Sequence, residues 1–184
     1  MDARDRIIAG AIEMFAERGV AGTSIADVIE RSGGPRGSMY HYFPAGKSQL
    51  AEESTLAAGR LMTAVINRLC AERGPSEALA KIVDYFRKRL VNSDFEYGCP
   101  VAAGALAGAE SPGAATAAGE AFVMWQRALS AALWQAGYAV DQAEDAASAA
   151  VSAIEGALLV CQAQKSTDAL DRVERFLTTQ LTGG

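Results

Sequence analysis

Sixteen residues near the start of the chain, SGGPRGSMYHYFPAGK from Ser32 to Lys47, hold four glycines, two prolines, three aromatic residues, two cations and the only histidine. These groups recognise; they are poorly suited to making or breaking bonds. The chain has no GxSxG or phosphate-loop pattern and no carboxylate pair that stands out. Catalysis is therefore not expected. The three cysteines, Cys70, Cys99 and Cys161, are widely spaced, and one histidine cannot complete a zinc set with them. They read as reduced thiols packed inside the fold, with no metal and no cofactor implied.

What these types at this spacing can do is hold DNA. Gly33-Gly34-Pro35 breaks the chain, and Pro35 suits the first turn of a short helix. The N-terminus of such a helix offers unpaired N–H groups and a positive dipole end to a phosphate. Arg36 can give two hydrogen bonds to guanine O6 and N7. Gly37 lets the backbone approach a base edge. Tyr40, His41 and Tyr42 place donors along the groove wall, where phosphates lie. Lys47, and Thr23 and Ser24 before the preceding helix, add phosphate contacts. Several of these have plainer readings. Phe43, Ile25, Val28 and Met39 read as core, Tyr40 as half core, His41 as a solvated side chain, and Ser24 as a helix cap first.

The elements that must position these groups are all helical. Ile8, Ile12 and Phe15 form a stripe at helical spacing, so residues 3–18 make one amphipathic helix, stopped by Gly19. Ser24 with Asp27 three residues on is a capping-box pattern opening a helix over 25–32. A short third helix covers about 36–42. Longer helices are predicted over 47–72, 76–91, 100–110, 115–136, 141–164 and 168–181. Segment 110–120, ESPGAATAAGE, reads as a connection over a pocket entrance or a plain loop. No strand pattern occurs. The fold class is all-α: an N-terminal three-helix DNA-binding head with a helix-turn-helix, then a C-terminal helical bundle for ligand binding and dimerisation. The predicted domains are 1–48 and 49–184.

Charge and length bound the function. The net charge is −5, yet residues 1–50 carry six cations and six acids, so all the excess acid lies beyond the head. The N-terminus shows no signal-peptide pattern. The most apolar stretch, Ala146 to Val160, contains Glu155 and is too short to span a bilayer. A cytoplasmic protein with no membrane partner is expected.

The stretch TSIADVIERSGGPRGSMYHYFPAGKSQL resembles the signature of the TetR/AcrR family of bacterial transcriptional regulators. The matching residues are Thr23, Ser24, Ile25, Asp27, Val28, Gly33, Arg36, Gly37, Ser38, Met39, Tyr40, Tyr42, Phe43 and Lys47. There are two departures. Gly34 replaces a small apolar residue, and PAGK is one residue longer than the common spacing. These features, with YGCPVAAGALA further on, are similar to the LmrA/YxaF-like subgroup. The resemblance implies a ligand-responsive regulator, a repressor bound as a homodimer to a palindromic double-stranded DNA operator and released by a small-molecule effector. The DNA-facing set is then Thr23, Ser24, Pro35, Arg36, Gly37, Ser38, Tyr40, His41, Tyr42 and Lys47. The alternative is a helical interaction module whose head docks a protein.

The body must supply a dimer contact and a pocket. Ala147, Val151, Ile154 and Leu158 share a stripe, and Val173 and Leu177 lie on a second; these are predicted to face the partner, with intrachain packing as the plainer reading. Helical bundles bind small molecules between helices, in cavities with mostly apolar walls. Tyr85, Phe86, Cys99, Phe122, Trp125 and Leu129 are the candidate lining, for an apolar or aromatic effector. Trp125 and Trp134 lie about 180° apart on one helix, so only one can face the cavity, and Trp125 is preferred. Glu155 reads as an interface-edge carboxylate or a polar ligand contact.

Overall fold

A computed structural model describes residues 2–33 and 38–181, and every regular element among them is helical. In chain order the α-helices are α1 (Ala3–Arg18), α2 (Ile25–Ser32), α3 (Ser38–Tyr42), α4 (Gly46–Arg73), α5 (Pro75–Asn92), α6 (Pro100–Ala105), α7 (Pro112–Gln135), α8 (Val140–Gln164) and α9 (Asp168–Leu181). The chain divides into two compact units, Met1–Arg60 with Cys99–Ala121, and Leu61–Gly98 with Phe122–Gly184. Helices α4 and α7 each contribute residues to both.

The first unit is built on α1. Asp2 caps it, accepting the N–H of Asp5 at 2.8 Å, and Gly19 ends it at φ +70° with its N–H on the Phe15 carbonyl. The inward stripe of α1 is Ile7, Ala11, Met14 and Phe15. It meets Val28 and Ile29 of α2, Met39 of α3, Phe43, and Leu50 and Ala51 of α4 in one buried cluster. Arg4 pairs with Glu53 and lays its guanidinium 5.3 Å from the Phe43 ring centre. In PAGK, Gly46 takes a φ of +69°, which suits glycine, and its N–H closes a turn onto the Phe43 carbonyl at 2.8 Å.

Two expectations for this unit change. The helix predicted over 100–110 stops at Ala105, and a separate 3-10 turn, Gly108–Glu110, follows with Gly108 at φ +58°. Segment 110–120 is not a loop: α7 starts at Pro112. Proline pre-sets the first helical φ, and the alanines that follow favour helix. Ala114, Ala117, Ala118 and Ala121 are buried, so packing outweighs the two glycines among them. Gly104 of α6 is needed for close approach, because a Cβ there would collide with the Thr55 side chain of α4.

The second unit packs the remainder of α4 and α7 with α5, α8 and α9. Ile82, Val83, Phe86 and Leu90 of α5 are buried, as are Leu170, Leu177 and Leu181 of α9. Arg87 of α5 joins the two helices through Asp171, at 2.8 Å, and Glu174. Helix α8 is 25 residues long, and its length and composition alone would pass for a membrane span, as those of a soluble protein's core helix also do. In this unit its inner face is spent on protein: Ala143, Ala147, Ala150, Ile154, Ala157, Leu158 and Cys161 are buried.

Candidate nucleic-acid interface and ligand cavity

The interface begins with the α2 cap. The Ser24 hydroxyl accepts the Asp27 N–H at 3.1 Å, and the Asp27 carboxylate accepts the Ser24 N–H at 3.0 Å. This reciprocal pair satisfies two N-terminal donors of α2. The Ser24 side chain, and then its backbone N–H, hold the Asp27 carboxyl below its ordinary range. Gly33 ends α2 in the left-handed region at φ +64°.

Helix α3 then separates inward from outward residues. Met39 is fully buried and Phe43, just after the helix, equally so, as core readings required. Tyr40 is 64% exposed and His41 also faces solvent, so Tyr40 is no core residue. Tyr42 is half-buried and meets the His41 ring edge-on at 5.0 Å. Pro35, Arg36 and Gly37 lie outside the described residues; Ser38 opens α3.

Two predicted phosphate ligands are otherwise engaged. Thr23 is 2% exposed, and its hydroxyl donates to the carbonyls of Gly19, at 2.8 Å, and Met14, at 3.3 Å. Its signature position is explained by tying the α1–α2 turn, so the expectation of a Thr23 hydroxyl on DNA is corrected. The Lys47 ammonium lies 2.7 Å from Glu110 Oε1 and 3.5 Å from the Ala21 carbonyl oxygen.

The second unit holds a cavity between four helices. Its walls are Met62, Ile66 and Cys70 of α4, Ala78, Leu79, Ile82 and Phe86 of α5, Trp125 and Leu129 of α7, and Val151, Ile154 and Glu155 of α8. Only about 30 Å³ of it admits the centre of a water-sized sphere. That is room for about two waters, since one needs about 10–15 Å³. An outer cleft of about 330 Å³ opens between α4 and α7, lined mainly by alanines together with Asn67 and Gln135. Cys70 lines both spaces. Burial pushes its thiol pKa up.

Of the six predicted lining residues, Phe86, Trp125 and Leu129 border the cavity. Trp125, 5% exposed, is a wall residue, whereas Trp134 is 60% exposed and does not line the cavity. The other three are corrected. Tyr85 is 44% exposed and turns its hydroxyl to that of Tyr97, 3.4 Å away. Phe122 lies edge-on against the outer side of Trp125, ring centres 5.3 Å apart, and is not part of the wall. Cys99 stands at the position before α6, in the first unit. Ile82 and Leu79 were legible, being one and two turns before Phe86 on the same stripe. Met62, Ile66 and Cys70 follow the same logic on α4, at spacings of four. Glu155 is a wall residue.

The predicted dimer stripe is turned inward in the single chain. Ala147, Ile154, Leu158 and Leu177 are at most 5% exposed within the single chain, and Val151 lines the cavity. Val173 is half-buried. Intrachain packing accounts for them. The opposite face of α8 carries Ala149, Ser152, Gly156, Leu159, Val160 and Ala163, all exposed, and Phe176 of α9 is 62% exposed.

Comparison with known proteins gives two family matches. Residues 7–54 match the model of bacterial regulatory proteins of the tetR family, and residues 75–176 that of the LmrA/YxaF-like transcriptional regulator C-terminal domain. The chain is 37% identical to the uncharacterized HTH-type transcriptional regulator Rv0196 of Mycobacterium tuberculosis, over 97% of this chain and 93% of that protein. It is 28% identical to the HTH-type transcriptional regulator LmrA of Bacillus subtilis, over 92% and 91%. In fold it is similar to the regulatory protein TetR from Rhodobacter sphaeroides, with TM-score 0.83 at 19% identity over 96% and 97% of the two chains.

Proposed function

We propose that this chain, which belongs to the TetR family of bacterial transcriptional regulators, reads a palindromic operator as a homodimer in the cytoplasm and is released by a small apolar or aromatic effector. The observation that carries the DNA reading is α3, with Met39 buried beneath it and Tyr40 and His41 left in solvent at its outer face. A helix this short sees only a few base pairs, so a second copy is needed. Two heads about 34 Å apart would meet successive major grooves on one side of the duplex.

The face proposed for the partner copy is the outer side of α8, with Phe176 beside it. Its small residues let a facing helix approach closely. A Cβ placed on Gly156 meets nothing within 4 Å, so this space is open in the single chain. An exposed apolar stripe of this length calls for cover.

The effector is proposed to enter the Trp125 cavity. At about 30 Å³ the cavity cannot hold an effector as it stands, so binding must push its walls apart. Three of those walls, Met62, Ile66 and Cys70, belong to α4, whose first turns carry Lys47 and Leu50. A shift of α4 therefore reaches the head through one continuous helix. Only an effector that prefers the expanded state can change operator affinity. A hundredfold preference supplies about 2.7 kcal/mol, within the usual range of coupling.

The test is selection of bound duplexes from a random pool, followed by anisotropy titrations. An inverted repeat with half-sites about 10 base pairs apart is expected. If a dimer places about five cations on phosphates, affinity should fall by roughly 500-fold between about 50 and 200 mM salt. Arg36→Ala should cost about 1–3 kcal/mol and relax one base per half-site. Binding that ignores salt would instead support a head that docks protein.

A further inference from the structure

Lys47 is proposed above as a phosphate ligand, yet its ammonium already has an anion. The Glu110 carboxylate sits 2.7 Å from Nζ, and the Ala21 carbonyl oxygen lies 3.5 Å away on the turn leading to α2. All three residues belong to the first unit. The Lys47 side chain is 23% exposed and that of Glu110 46%, so the pair lies at the surface with the lysine the more enclosed partner. A carboxylate and a phosphodiester offer an ammonium the same thing, anionic oxygens at hydrogen-bond distance. The ammonium has three donors, so what a phosphate meets at this place is a cation already neutralised by a carboxylate that repels it.

We propose that Glu110 is an internal competitor of the DNA backbone, holding Lys47 in the free protein and giving it up when operator phosphate arrives. This rests on the reading of the head as a DNA binder and adds to it a residue that sets affinity. Glu110 closes the 3-10 turn, and α7 begins two residues later at Pro112. The same helix carries Trp125 and Leu129 to the cavity wall. A displacement of α7 along its axis therefore moves Glu110 toward or away from Lys47. The ion pair thus links the start of α7 to the first turn of α4, beside the continuous path along α4 itself.

The experiment uses the full chain and a fluorescein-labelled 30-base-pair duplex of random sequence, since a phosphate contact needs no particular base. Wild type, Glu110→Gln, Lys47→Gln and the double variant are titrated by anisotropy at about 100 mM salt, with circular dichroism checking that each is folded. Glu110→Gln should bind about two- to fivefold tighter than wild type, the range for a partly exposed ion pair. In the Lys47→Gln background the same change should leave affinity where it was, because the competitor then has nothing to hold. Equal affinity of Glu110→Gln and wild type would overturn the proposal. So would an equal gain with and without Lys47, which would mean that Glu110 acts only as diffuse negative charge. Should none of the four proteins bind duplex in a salt-dependent way, the DNA reading itself fails and takes this inference with it.

Discussion

At the scale of single residues, the same chemical group serves different ends according to what lies beside it. Thr23 and Ser24 are adjacent hydroxyls at the start of α2. One is buried on main-chain carbonyls and the other caps the helix. Ser24→Ala should destabilise the protein by about 1 kcal/mol, measured by urea unfolding. The Asp27 half of the cap has a pH signature. Its folded pKa lies below the ordinary value of 3.8, so its contribution is fully present above that value and is lost as pH falls through the lowered one. The stability difference between wild type and Asp27→Asn should therefore be constant at neutral pH and shrink only in that acid range. Trp125 needs a careful substitution. It is 95% buried, and truncating a core tryptophan to alanine costs about 3–5 kcal/mol. Trp125→Phe keeps most of the wall and should weaken effector-induced release while leaving operator binding by the free protein intact. Loss of operator binding in that variant would return Trp125 to a purely structural role.

At the scale of elements, α8 and α7 show what periodicity can and cannot say. Every helix outside the 100–110 region begins and ends within about three residues of expectation, because caps, prolines and glycines are local signals. Which side of α8 packs where was misread. Both sides are small and apolar, so the stripe through Ala147, Ile154 and Leu158 looked as fit for a partner as for the core. Only the neighbours decide, and α5 and α9 cover that side. Leu159, 65% exposed, then becomes the residue to change. Leu159→Arg should leave the far-ultraviolet circular dichroism spectrum unchanged and convert the dimer to monomer in light scattering. A dimer that survives it would place the interface elsewhere. Helix α7 failed in the other direction. Its first turns read as a loop from their glycine content, but Ala114, Ala117, Ala118 and Ala121 are buried there and packing holds the helix.

At the scale of the whole molecule, two compact units share helices α4 and α7. The proposed coupling uses this continuity of the chain: a shift of either helix at the cavity is expected to reach the first unit along the same helix. The sequence by itself determined the all-helical class, the capping box, the short helix of the head, and its family. Each depends on residues close together in the chain: spacing, caps and an ordered motif. Only the tertiary structure decided that Thr23 is buried, that Lys47 faces Glu110, that Cys99 belongs to the first unit, and that α8 keeps its Ala147 side inward. Those facts depend on residues 9 to 63 positions apart, or on which of two equally apolar faces finds a neighbour first. Chain-local rules carry no information about either.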